Sequence, residues 1–239
     1  LDQARDIAGR GVLGTIGCHL RGECREDNRH PLYAALLAPL ISGGPKDFAQ
    51  GKLLTLACSL GLIALAYFSC RRRWGEKTGL ACAALLSLSW MTADASHHIL
   101  ADVLFAGLYF AALMSLVLGH SWGVFGLLAG LAYLTKGSGH LLLLAPLALT
   151  ARRLRRGEPA LGALAKAAGG FAAGASLLLW RNAVVWGDIF HNFNAKVIFL
   201  DRWSDMWRLV GTPTWEEIGP AWYWRRHGAI EILERLARG

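Results

Sequence analysis

Apolar and polar residues in this chain are gathered into long blocks instead of alternating, and the length of each block predicts its element. From about Phe48 to Cys70 the residues are almost wholly apolar, enough for a helix to cross a bilayer core that needs roughly twenty residues. Spans of the same kind are predicted over about Thr78 to Thr92, Ile99 to Leu118 and Ala160 to Leu179. Between Val124 and Thr150, two apolar stretches of about a dozen residues flank Thr135-Lys-Gly-Ser-Gly-His140. Pro31 to Ile41 offers only about ten apolar residues before Ser42-Gly-Gly-Pro45, which predicts an interfacial or re-entrant helix. The rest of the first stretch is polar, with a short amphipathic helix over Leu1 to Ala8, a glycine-rich connection and the charged run Arg21 to His30.

Charge then orients the blocks. Arg71-Arg-Arg-Trp-Gly-Glu-Lys77 and Ala151-Arg-Arg-Leu-Arg-Arg-Gly157 are short and strongly basic, so both loops are expected on the cytoplasmic side. Only two crossings between residues 123 and 151 leave them on one side, so residues 124–150 are read as a helical hairpin. Each arm covers about 20 Å of a roughly 30 Å core at 1.5 Å per residue. Lys136 and His140 at its tip should therefore line a wet cavity, with Gly137-Ser-Gly139 as non-helical backbone at membrane depth. From Ala183 onward the residues are mostly polar but rich in tryptophan, as in a segment lying on the interface.

The expected organisation is an outward first loop with interfacial helices over 1–47, a transmembrane core of about six spans over 48–181, and an outward Trp-rich cap over 182–239. The fold class is an all-α polytopic membrane protein, multi-pass in the plasma (inner) membrane. Composition agrees, since 54% hydrophobic residues and a mean hydropathy of +0.35 are unlike a water-soluble domain. The net charge of +8 suggests nucleic acid at first sight, but the basic residues sit beside apolar spans, so no nucleic-acid partner is expected. Leu1 opens without an initiator Met or a leader, and Gly239 closes within a polar helical pattern, so the chain reads as an internal piece lacking its first and later spans. Cys58, Cys70 and Cys82 suit packing, whereas Cys18 and Cys24 share a polar loop and either pair or remain two free thiols.

Candidate chemistry gathers on the outward face. Asp94, His97, His98 and Asp102 come from one helix junction, Lys136 and His140 from the hairpin tip, and Arg181 from the last span. Ionisable groups at membrane depth are costly and are usually kept for pairing or a site. Asp102 either pairs inside the bundle, with Lys136 or a histidine, or serves a site. Arg181 either joins that site or snorkels from its helix end. Asp94, His98 and Asp102 share a face at i, i+4, i+8 only if the helix is unbroken, so a metal is weakly signalled. Cations beside carboxylates in such a cavity suit an anionic lipid headgroup.

His30-Pro-Leu-Tyr33, Ala101-Asp-Val-Leu-Phe105, Gly130-Leu-Ala-Tyr-Leu-Thr-Lys-Gly137, Arg181-Asn182, Gly187-Asp-Ile-Phe190 and Asn194 occur in that order. The ordered set resembles the GT-C membrane glycosyltransferases of the protein O-mannosyltransferase and lipid A aminoarabinose transferase type. The resemblance implies a GT-C-like helical bundle that moves a sugar, with inversion, from a polyprenyl- or dolichyl-phosphate donor to a protein hydroxyl or glycolipid acceptor on the outer face. It implies Asp102 as the second acidic position, orienting substrate or a metal. Arg29 and His30 would lie near the donor phosphate, Lys136 would hold it, and Asn194 and Lys196 are weaker counterparts in the cap. The family's acidic base would fall upstream of Leu1, leaving Asp2, Asp6 and Asp27 as fallback candidates. The cofactor is unknown, with a divalent metal possible, and Cys18 and Cys24 depart from the family's pattern. The rival is a transporter or flippase of a lipid-linked anion in which Asp102 and Lys136 form a gate pair, although no internal repeat is visible. A non-catalytic scaffold subunit is a third reading.

Overall fold

The computed structural model describes residues 1–23, 30–191, 196–197, 199–209, 212, 214 and 217–238, and Arg29, Asn194, Cys24 and Asp27 lie outside them. Helices and turns account for all the regular structure among the described residues. The chain forms two compact units, one reaching Phe190 and one from His191 onward.

The first unit contains α1 (Asp2–Leu20), α2 (Pro31–Leu37) with a 3-10 turn (Ala38–Leu40), α3 (Asp47–Trp74), α4 (Glu76–Leu88), α5 (Trp90–Ser96) and α6 (Asp102–Val117). Then come α7 (Trp122–Thr135), a 3-10 segment (Gly137–Leu143), α8 (Leu144–Arg155) and α9 (Leu161–Trp186). Of these, α3 and α9 are long and apolar enough to cross a membrane.

Two local features differ from the sequence expectation. Helix α1 does not stop at Ala8 but runs on to Leu20, with a break at Gly11, whose φ of 71° is a conformation glycine adopts without a Cβ clash. The stretch after the first basic loop is interrupted at Ser89, which is extended, so α4 is followed by the separate short α5. The break after Ser96, before α6, falls at the junction expected between two spans, and with the helix broken there Asp94, His98 and Asp102 do not share one helix face.

Helix α3 is built inside out relative to a soluble helix. It buries Asp47, Gly51, Thr55 and Ser59, spaced four apart, while Phe48, Leu53, Leu60 and Phe68 are more than half exposed. Its inner face is joined by hydroxyls. Tyr33 Oη and Thr55 Oγ1 lie 2.6 Å apart, and Ser96 Oγ donates to Ser59 Oγ at 2.8 Å.

The core proper lies between α6, α7 and α9, around Phe125, Ala129, Tyr133, Phe171 and Leu178. Here α7 and α9 touch backbone to backbone. A Cβ on Gly126 would stand 2.0 Å from the Ala167 carbonyl oxygen, and one on Gly130 would stand 2.5 Å from that of Phe171. The reciprocal positions Gly170 and Gly174 approach Gly123 and Leu127 as closely, at 2.3 and 2.7 Å. These pairs rise together along both helices, so α7 and α9 run parallel and α8 returns between them. Arg71, Arg72 and Arg73 at the end of α3 and Arg152, Arg153 and Arg155 at the end of α8 consequently lie at the end of the bundle opposite Asp102.

The second unit contains α10 (Trp203–Leu209), α11 (Pro220–Arg226) and α12 (Ala229–Arg238). Within it Ile218 is packed by Val197, Phe199, Leu200, Leu209 and Trp222, and His227 Nε2 lies 2.8 Å from Asp201 and Nδ1 3.0 Å from Glu231.

Candidate functional site

Two helix ends and a turn create the site. Helix α6 starts at Asp102, and α7 stops where Lys136 turns extended, at φ −155° and ψ 136°. Gly139 makes that stop possible, because a Cβ there would lie 2.3 Å from the Tyr133 nitrogen. The turn is tucked against the last turn of α7, and His140 Nδ1 reaches the Gly137 carbonyl at 2.5 Å. Lys136 forms an ion pair with Asp102, both side chains remaining about half exposed at 47% and 50%. The Lys136 ammonium also lies 6.0 Å from the Phe105 ring centre. At this exposure an ion pair adds little to stability, which leaves it free to exchange partners.

Behind the pair stands Tyr133, fully buried. Its ring is met edge-on by His30 at 5.6 Å, His140 at 6.1 Å and Phe190 at 6.4 Å, and in a tilted contact by Phe171 at 5.7 Å. Arg181 and Asn182 neighbour it from α9. Arg181 is only 2% exposed, so it does not snorkel, and its guanidinium donates to Asn182 Oδ1 at 2.8 Å. Asn182 in turn donates to the Ile189 carbonyl at 3.3 Å, just past the Gly187 cap that closes α9. Burial lowers the His30 pKa to about 4, with the neighbouring Arg181 charge acting the same way, so the imidazole is neutral at physiological pH.

The structure thus brings Asp102 and Lys136 into contact and gathers His30, His140 and Arg181 around Tyr133. Lys196 falls in the second unit, and Arg29 and Asn194 lie outside the described residues. Asp94 sits 3.6 Å from His98, while Asp2 and Asp6 pair with Arg5 and Arg10 along α1. No group of three or more metal-capable side chains occurs among the described residues. Cys18 is disulfide-bonded, and Cys24, read as either its partner or a free thiol, lies outside the described residues.

Three residues given no role by the sequence are central here. Tyr133 and Asn182 stood inside quoted motifs, but only their contacts across helices mark them. Asp47, 1% exposed, accepts from Ser42 N at 2.9 Å, Gly43 N at 3.2 Å and Arg5 Nε at 3.3 Å, tying α1 and the turn after α2 to the start of α3. The run Ser42-Gly-Gly-Pro-Lys-Asp47 was its signal, since small turn residues before an acidic helix start suit a carboxylate that accepts backbone N–H groups.

No family model, no curated protein and no solved structure matches this chain. The chemistry available to the site is therefore argued from its own groups: a carboxylate and an ammonium that hold each other at the surface, and a buried guanidinium beside Tyr133.

Proposed function

We propose that the chain is part of a multi-pass membrane glycosyltransferase that takes a sugar from a polyprenyl- or dolichyl-phosphate donor to a protein or glycolipid acceptor on the outer face. The membrane part of this reading is supported by α3, whose exposed face is leucine and phenylalanine while its buried face is hydroxyls and glycine. It is also supported by the two basic helix ends sharing the end of the bundle opposite Asp102, as the positive-inside rule asks.

The catalytic part rests on one observation, the half-exposed Asp102–Lys136 ion pair where α6 begins and α7 ends. A donor phosphate arriving at this place competes with the Asp102 carboxylate for Lys136. Once Lys136 turns to the phosphate it offsets the charge that grows on the leaving group as the glycosidic bond breaks, and Asp102 is released to accept a hydrogen bond from the substrate. Neutral His30 brings no second charge to that pocket.

The test is sugar release from a radiolabelled polyprenyl-phosphate donor by the purified full-length protein, with Lys136→Ala and Asp102→Asn alongside. Release that falls in both variants, while they still insert into the membrane, is the expected result. Wild-type release in both sinks the site.

The ion pair also favours a second reading, because an intramembrane gate joins the same two charges. A transporter or flippase of a lipid-linked anion would leave the donor intact and move it across vesicles, with faster leak after Asp102→Asn.

A further inference from the structure

Away from the Asp102–Lys136 pair, α3 and α5 enclose a groove of about 550 Å³ lined by Ala49, Lys52, Leu53, Leu56, Ser96 and His97. We infer that this groove holds one anionic glycerophospholipid, its phosphate at Lys52 and His97 and an acyl chain along Leu53, Leu56 and Leu60. The inference rests on the membrane reading above, and it is independent of the sugar-transfer site.

Polarity decides the orientation of the occupant. Lys52 is the sixth residue of α3, about 7.5 Å along the helix from its start at 1.5 Å per residue, the level of a headgroup if α3 spans. Lys52 and His97 both lie toward this end. Leu53, Leu56 and Leu60 continue from there down one side of α3 at helical spacing, and they are 63%, 43% and 60% exposed. A groove with its charge at one end and an open apolar stripe at the other fits an amphiphile.

Charge complementarity selects an anion. Among the described residues Lys52 makes no ion pair, its ammonium lying 4.8 Å from the Phe48 ring centre. The nearby carboxylates are engaged elsewhere, Asp94 with His98 and Asp47 with Arg5 and the turn at Ser42 and Gly43. A peptide is disfavoured, since the hydroxyl in the groove, Ser96, is already bonded to Ser59 and to the Thr92 carbonyl. That leaves few partners for a peptide backbone, whose buried groups all need them. A phospholipid asks only for a cation and a donor at the phosphate.

The experiment uses the full-length protein, delipidated in detergent and titrated with phosphatidylglycerol or with phosphatidylcholine of the same chains, bound lipid being counted by native mass spectrometry. Wild type is expected to hold one phosphatidylglycerol at least tenfold more tightly than phosphatidylcholine. Lys52→Ala with His97→Ala should lose that preference, and Lys52→Arg, which keeps the charge and guards against misfolding, should retain it. Equal retention of the two lipids, or a phosphatidylglycerol preference unchanged in the double variant, overturns the inference, and so does a site that takes only polyprenyl phosphate. Sugar release and vesicle flotation on the same preparations separate the two proposals. Lys52-dependent lipid binding without sugar release leaves this site standing and removes the transferase. Protein that does not float with vesicles removes both.

Discussion

Helix α3 and the α7–α9 pair are similarly apolar, yet they join the bundle by opposite means. On the first half of α3 the polar contacts are hydroxyl to hydroxyl, through Thr55, Ser59, Tyr33 and Ser96, while Leu53, Leu56 and Leu60 turn away. Between α7 and α9, at Gly126-x-x-x-Gly130 and Gly170-x-x-x-Gly174, the glycines let the two backbones meet. In water, burying leucine would be the main stabilising force. The contacts at these two seams are of other kinds, close backbone packing and hydrogen bonds between helices, the kinds that hold helices together in lipid. The two devices should respond differently to mutation, since a glycine contact is lost all at once and a hydroxyl contact by degrees.

The largest effect is expected at the glycine seam. Gly126→Leu puts a side chain where even a Cβ would be 2.0 Å from a backbone oxygen, so α7 and α9 must separate. A loss of more than about 4 kcal/mol, in the exceptional range for point mutations, is expected. Thermal unfolding and gel filtration of the purified protein should show little folded material. Gly61→Leu, on α3 with nothing within 4 Å of its Cβ, is the matched control and should unfold like wild type. Equal behaviour of the two variants would erase the distinction.

Next is Lys136→Ala, because the glycine seam ends only a turn before the residues it positions. Sugar release is expected to fall about a hundredfold, the usual scale for removing one charge-stabilising donor. Stability should change by less than about 1 kcal/mol, as for other half-exposed ion pairs. A variant that loses stability and activity together would make Lys136 a structural residue and not part of a site.

On the α3 side the expected loss is small. Thr55→Val keeps the shape and removes one partner of Tyr33, whose hydroxyl still has the Gly51 carbonyl at 3.3 Å. About 1 kcal/mol is expected. A collapse like that of Gly126→Leu would mean that the hydroxyl seam, too, is all or none.

How much of this was legible in the sequence depended on where each partner lay. Apolar blocks announce themselves without partners, and α3 at Asp47–Trp74 lies close to the span expected over Phe48 to Cys70. The juxtaposition of Asp102 and Lys136 followed from counting crossings, which puts α6 start and α7 end on one side. The break after Ser96 was legible, because Asp94-Ala-Ser-His-His98 is a polar interruption between two apolar spans, whereas the break at Ser89 did not show, since it lies inside the span expected over Thr78 to Thr92 and only backbone conformation marks it. The glycine seam was hidden for another reason. Gly126 reads as an ordinary helix-weakening glycine until Ala167, on a distant helix, is seen against it. Tyr133 likewise carries no mark in the sequence beyond its place in a quoted motif, and its position between His30, His140 and Phe171 is a fact of tertiary packing.

His30 gives the smallest effect at neutral pH and the sharpest probe of whether α2 is seated on the α7–α9 pair. Its pKa is lowered from 6.5 to about 4, first by burial and then by the Arg181 charge. The unfolded chain therefore binds the proton at higher pH than the folded one, and stability must rise with pH wherever the two differ in protonation. The contribution is complete above about pH 6.5 and is lost progressively as pH falls through the window down to about 4. His30→Phe keeps a ring against Tyr133 and removes the titration. Its melting temperature should match wild type at pH 7 within a few degrees and then exceed it increasingly toward pH 4.5. Parallel curves for the two proteins over that range would show that the imidazole takes up its proton without leaving Tyr133, and that α2 is not seated through a neutral His30.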